Sequence, residues 1–183
     1  MAGLPSPSSL GAMTNPLTGE ELRELQRPIK DRYGDDPGAA EITLEAHGTM
    51  EEDIACSVQT GRALVKAGLH PGTGGDGSLA CSGDMLLQAL VACAGVTMRS
   101  VATSMGLAVA GSIHAEGDLD WRGTMAVDKG APVGFKDIRL RFELESDAGD
   151  EELETLQRLT ERYCVVFQTL ASSPSLSVSM ERG

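Results

Sequence analysis

Positive charge is scarce in this chain: 15 Lys and Arg stand against 27 Asp and Glu, a formal net charge of −12 with a sequence pI near 4.6. A surface of that sign repels phosphates, so nucleic acid is excluded as an expected partner. Long apolar runs are missing too. The longest uncharged one, Met85 to Met98, is broken by Gln88 and falls short of the ~20 residues a bilayer-spanning helix needs, so no membrane span is predicted. Met1 to Leu17 has no Lys or Arg and no continuous apolar stretch, as a secretory signal would require, and a cytoplasmic location is expected. The four cysteines, Cys56, Cys81, Cys93 and Cys164, are too few for a disulfide scaffold and lack the short paired spacings of zinc sites. His47, His70 and His114 lie far apart without ligand spacing, so no metal site is predicted. Gly72, Gly74 and Gly77 fit the letters G-x-G-x-x-G, but no convincing strand feeds them and a helix begins five residues later. They read as a flexible loop, and no cofactor is expected.

What remains is an ordinary globular composition, 41% hydrophobic and 23% charged over 183 residues, suited to one core. Residues 1–40 read as an N-terminal arm, mobile over its first 16 residues, with a short helix from Thr18 to Arg27. Thr18 would cap that helix, Glu21 would complete a capping box, and Pro28 would stop it. Pro37-Gly38 closes the arm, and a single domain is expected over 41–183.

Within that domain, Ile42 to His47 and Ile54 to Gln59 alternate apolar with polar residues and predict a hairpin around Gly48 to Asp53; Arg62 to Leu69 is a weaker third strand. A helix is expected from Ser82, as N-cap, to about Met105, with Asp84 in its first turn and Gly106 as its stop. From Met85 to Met98 it is apolar around nearly its whole circumference, which predicts enclosure on all sides, with a second subunit helping to provide it. Clean alternation follows at Ile113 to Trp121 and Ile138 to Glu145, then an amphipathic helix from about Asp150 to Leu170, and a last short strand at Leu176, Val178 and Met180. The order predicts an α+β fold with a mainly antiparallel sheet.

On residue type alone Cys56 is a small core hydrophobe on the apolar phase of its strand, and Cys81, ahead of a helix cap, is an exposed thiol. Cys93 lies in the middle of the apolar helix, too far from that helix's own N-terminus for its dipole to lower the thiol pKa; by this reading a side-chain cation has to do it.

Two segments add a resemblance. Ser82-Gly-Asp-Met-Leu-Leu-Gln-Ala-Leu-Val-Ala-Cys93, with Gly95 and Thr97 following, and Cys164-Val-Val-Phe-Gln-Thr-Leu170, in that order, are similar to the two cysteine motifs of the OsmC/Ohr family. The likeness extends from about Ile42 to Met180. It implies an intertwined homodimer whose sheets wrap two central helices, and a thiol-dependent peroxidase of hydrogen peroxide or organic hydroperoxides. In such an enzyme Cys93 attacks the peroxide, Cys164 resolves the sulfenic acid as a disulfide, and a dithiol reductant restores both.

The family's activating arginine belongs to the first hairpin, where this chain has Glu51-Glu52-Asp53. Arg62 is the nearest replacement, ahead of Arg99 and Arg162, and Asp84, nine residues before Cys93, stands nearest the family's carboxylate. Val165 occupies the place of a proline. The alternative the sequence leaves open is a non-catalytic dimer of the same fold that binds a small apolar or acyl ligand between subunits.

Overall fold

A computed structural model describes residues 18–36, 47–50, 55–60 and 63–182 of the chain. The expected mobile start, the closing Pro37-Gly38, the strand residues 42–46, the tip 51–54 and Arg62 lie outside them.

Helix α1 spans Gly19–Asp35 and begins as expected: Glu21 accepts from the Thr18 N–H at 2.8 Å and from its hydroxyl at 2.9 Å, while the Glu21 N–H donates to Thr18 Oγ1 at 3.2 Å. Its end is a correction. Pro28 lies inside the helix, so the missing N–H leaves a gap in the ladder where the sequence predicted a stop.

Strands β1 (His47–Met50), β2 (Ala55–Thr60) and β3 (Ala63–Gly68) form an antiparallel meander, and β4 (Ala80–Cys81) pairs parallel with β3. Pairing of Met50 with Cys56 carries β1 further than expected, into the segment read as a turn. Between β3 and β4 the chain doubles back through a 3₁₀ turn at Pro71–Thr73 so closely that a Cβ on Gly75 would lie 1.8 Å from the Leu69 carbonyl oxygen.

Helix α2 spans Ser82–Met105, with Cys81 rather than Ser82 as its N-cap; Gly106, at φ +75°, ends it as predicted. With 24 residues it is long and apolar enough to cross a bilayer, beyond what the uninterrupted run suggested. Within the chain it is contacted by α1, β4 and the C-terminal half. Leu90, Ala94, Met98 and Ala102 recur every fourth residue as its buried stripe. The expected all-round enclosure is not reached within one chain: Val96 is 74% exposed and Leu86 38%.

A second, two-stranded antiparallel sheet follows, β5 (Ala110–Asp118) with β6 (Asp137–Glu145). Ile113, Ala115 and Gly117 face inward against exposed His114, Glu116 and Asp118, and β6 alternates without a fault. Trp121, predicted on the strand, opens a short helix α3 (Trp121–Thr124), because Asp120 caps it through the Arg122 N–H at 3.1 Å.

The predicted C-terminal helix is broken in two. Helix α4 (Asp150–Tyr163) and α5 (Val165–Ala171) meet at Cys164, whose φ of −75° and ψ of 109° are extended. Leu156 of α4 is fully buried against Met98, Ala102 and Val109, with Phe142 and Leu144 of β6 closing the cluster. Burying one such leucine is worth about 1.5–3 kcal/mol. Beyond α5 the expected last strand is absent, and Leu176, Val178 and Met180 are 85–96% exposed. Among the described residues, β1 and β2 make their main contacts within their own sheet rather than with the helices.

Candidate active site

The break at Cys164 builds the site. The Cys164 N–H still donates to Thr160 as the last bond of α4, at 2.9 Å, and its carbonyl accepts from Gln168 as the first bond of α5, at 2.9 Å. One residue therefore closes one helix and opens the next, and the free N–H groups at the start of α5 turn toward α2.

Those groups meet Cys93. Burial disfavours charge on its sulfur, yet the thiol is lowered from its ordinary value, because the Val166 N–H, the Cys164 thiol, the Val165 N–H and the Thr97 hydroxyl stand near enough to favour the charged form. Thr97 stands one turn on from Cys93 along α2, where its hydroxyl faces the sulfur. Cys164 moves the other way: burial, at 1% exposure, and the neighbouring Cys93 sulfur raise it, against the N–H groups of Phe167 and Val166. Both are free thiols. The arrangement makes the pair unlike: the surroundings favour negative charge on Cys93 over Cys164.

Among the described residues the groups that favour charge on Cys93 are neutral donors from the Cys164 junction, α5 and α2; Arg62, the cation offered by the sequence, lies outside the described residues. Arg99 donates to the Val109 carbonyl at 2.6 Å, in a separate cleft with Gly106 and Asp147. Arg162 lies over the Tyr163 ring, 5.7 Å from its centroid, and lines a cleft of about 450 Å³ that also borders Cys164, Val165 and Thr169.

Of the residues named from sequence, Cys93 and Cys164 are brought together, Arg62 is outside the described residues, and Asp84 stands elsewhere. Nine residues are two and a half helical turns, about 13.5 Å of rise and the opposite face. Asp84 lines a small cavity with His70, Cys81 and Trp121 instead. The sequence marked Val165 only as standing in the place of a proline and gave no reason to single out Val166, since it is their backbone N–H groups that stand near Cys93. The signal was the cysteine between two turns of one apolar pattern.

A groove of about 880 Å³ runs beside α2 and α5, walled by Leu86, Leu90, Ile138, Leu140, Phe167 and Leu176. Among the described residues no group of three or more His, Cys, Asp or Glu side chains is placed to hold a metal.

This combination of a core helix, two flanking sheets and a facing pair of thiols defines a class. The family model for "OsmC-like protein" matches residues 75–179, and the chain belongs to that family. Its fold is similar to that of an OsmC-like protein from Mycoplasma pneumoniae, at 15% identity and a TM-score of 0.62, covering 73% of this chain and 90% of that one. It is also similar to an OsmC-like protein of unknown function from Vibrio cholerae, at 13% identity and a TM-score of 0.58, covering 70% and 94%. No curated protein sequence matches the chain.

Proposed function

We propose that this protein is a cysteine-based peroxidase that reduces hydrogen peroxide or organic hydroperoxides in oxidative-stress defence. The observation that carries this reading is the neighbouring pair of unlike free thiols, Cys93 shifted toward the charged form and Cys164 away from it. In the first step the Cys93 thiolate attacks the terminal peroxide oxygen; the O–O bond breaks, the alkoxide takes up a proton and leaves as alcohol, and Cys93 becomes a sulfenic acid. In the second the Cys164 sulfur attacks that sulfenic sulfur, releasing water and forming the disulfide. A dithiol reductant then gives up two electrons and two protons, returning both thiols. Arg62 is retained in this reading as the cation that polarises the peroxide; Asp84 is not.

The working form in this proposal is a homodimer in the cytoplasm. Support for the dimer comes from the open flank of α2 and the exposed Leu176, Val178 and Met180. Support for the compartment comes from free thiols that have to be regenerated.

The test is stoichiometric. One equivalent of cumene hydroperoxide should consume two thiols per chain and yield a Cys93–Cys164 disulfide by peptide mapping. Survival of both thiols would overturn the enzyme reading. It would favour the alternative, a dimer that binds an apolar or acyl ligand, for which the groove along Leu86, Leu90 and Phe167 is the supporting observation.

A further inference from the structure

A third thiol, that of Cys81, stands in a separate cavity. It has a volume of about 210 Å³ and is bounded by Cys81, His70, Asp84, Trp121, Phe135 and Gly83 at the start of α2. Cys81 is a free, half-buried thiol whose side chain takes no part in capping the helix that follows it. A methyl group built on Gly83 would lie 3.6 Å from both Cys81 Sγ and the Phe135 ring, so the absent side chain leaves the space between sulfur and ring. The far wall is fixed. His70 Nδ1 accepts the Gly72 N–H at 2.9 Å, which puts the proton of the neutral imidazole on Nε2, and the ring stacks on Trp121 with centroids 5.0 Å apart. Asp84 adds an exposed carboxylate.

Aromatic faces and a carboxylate around a small space favour an alkylammonium group, and the net charge of −12 draws cations toward the protein. A free thiol exchanges with disulfides. The volume is below the ~300–1,000 Å³ typical of sites for larger organic ligands, so the occupant has few atoms. We propose that this cavity is a thiolation site for small cationic aminothiols, entering as their disulfides. The Cys81 thiolate attacks one sulfur of the incoming disulfide, whose S–S bond breaks; one aminothiol stays bound to Cys81 as a mixed disulfide with its ammonium at Asp84, and the other leaves as a thiol after taking the Cys81 proton. No net oxidation beyond that carried by the disulfide is needed, and the step is independent of Cys93.

The experiment compares three probes on the full-length protein: cystamine (cationic), bis(2-hydroxyethyl) disulfide (neutral) and dithiodiglycolate (anionic). The rate of labelling is read at each cysteine by peptide mapping, so the result at Cys81 stands whatever Cys93 does. Cystamine is expected to label Cys81 about tenfold faster than the anionic probe, an electrostatic bias beyond the few-fold usual at an exposed single charge. Asp84→Asn, which changes the net charge by one, should remove most of that preference. Gly83→Ala should slow all three probes by filling the space, in a substitution that favours the helix. Rates at Cys81 that follow the order seen in the urea-unfolded chain, or a preference unchanged in Asp84→Asn, would overturn the proposal.

Discussion

The backbone N–H of Val166 stands beside the sulfur of Cys93, and against the burial that disfavours charge there it is the leading contribution favouring the charged form. The donor reaches Cys93 because Cys164 interrupts what the sequence presents as one continuous helix. A cysteine in mid-helix thereby gains a helix N-terminus it does not own.

Val165→Pro tests that arrangement. Val165 is 70% exposed at the first position of α5, and the extended Cys164 before it already has the backbone that precedes a proline. The substitution removes one N–H from Cys93, so the thiol pKa rises and the pH midpoint of its iodoacetamide alkylation moves upward. Val166, Cys164 and Thr97 still favour its charged form. Stability should rise by about 0.4–1 kcal/mol from the stiffer unfolded chain. An unmoved midpoint would show that the Val165 N–H is not felt at the sulfur.

Cys164→Ser separates the two thiols. With the resolving group gone, peroxide should leave a Cys93 sulfenic acid that dimedone traps as a single mass adduct, while turnover with a dithiol reductant falls. The Cys93 alkylation midpoint also moves upward, because a hydrogen bond that favours the thiolate is weakened. In Cys93→Ser no adduct should form, and turnover at the unmodified rate would remove Cys93 from the reaction.

Much of the fold was legible. The alternation of β5 and β6 reads directly as one wet and one buried face, the Thr18 to Glu21 capping box forms as its letters suggest, and Gly106 ends α2 where it was expected. The Cys164 break was not, since Tyr163-Cys164-Val165 holds no glycine or proline and Phe167 and Leu170 continue the apolar period. What fixes it is the packing of α4 and α5 on α2, which local sequence does not encode. Trp121 was misplaced for a simpler reason: it keeps the strand's phase, but Asp120 supplies a cap that alternation does not register. Asp84 could be placed at the start of α2, while the face it shares with Cys81 depends on a loop folding back over Leu69.

Leu156→Ala measures the seam between α4 and α2. Leu156 is fully buried with Met98, Ala102 and Val109, and the truncation should cost about 2–5 kcal/mol in urea unfolding at fixed protein concentration. Because α4 leads directly into Cys164, peroxide-driven disulfide formation should slow as well. A loss below about 1 kcal/mol would mean that the seam repacks freely.

Val96→Asp probes the open flank of α2. Val96 is 74% exposed within one chain, and a charge there should shift sedimentation from dimer to monomer if a second subunit covers it. A variant that sediments as the wild type does would place the interface elsewhere.

In the proposed cycle, joining Cys93 to Cys164 leaves a neutral sulfur, a poorer acceptor than a thiolate, beside Val165 and Val166 at the first turn of α5. Deuterium uptake at the amides of residues 165–167 should then rise on oxidation and fall on reduction, making this short segment an internal gauge of whether the molecule is charged for another turn or spent.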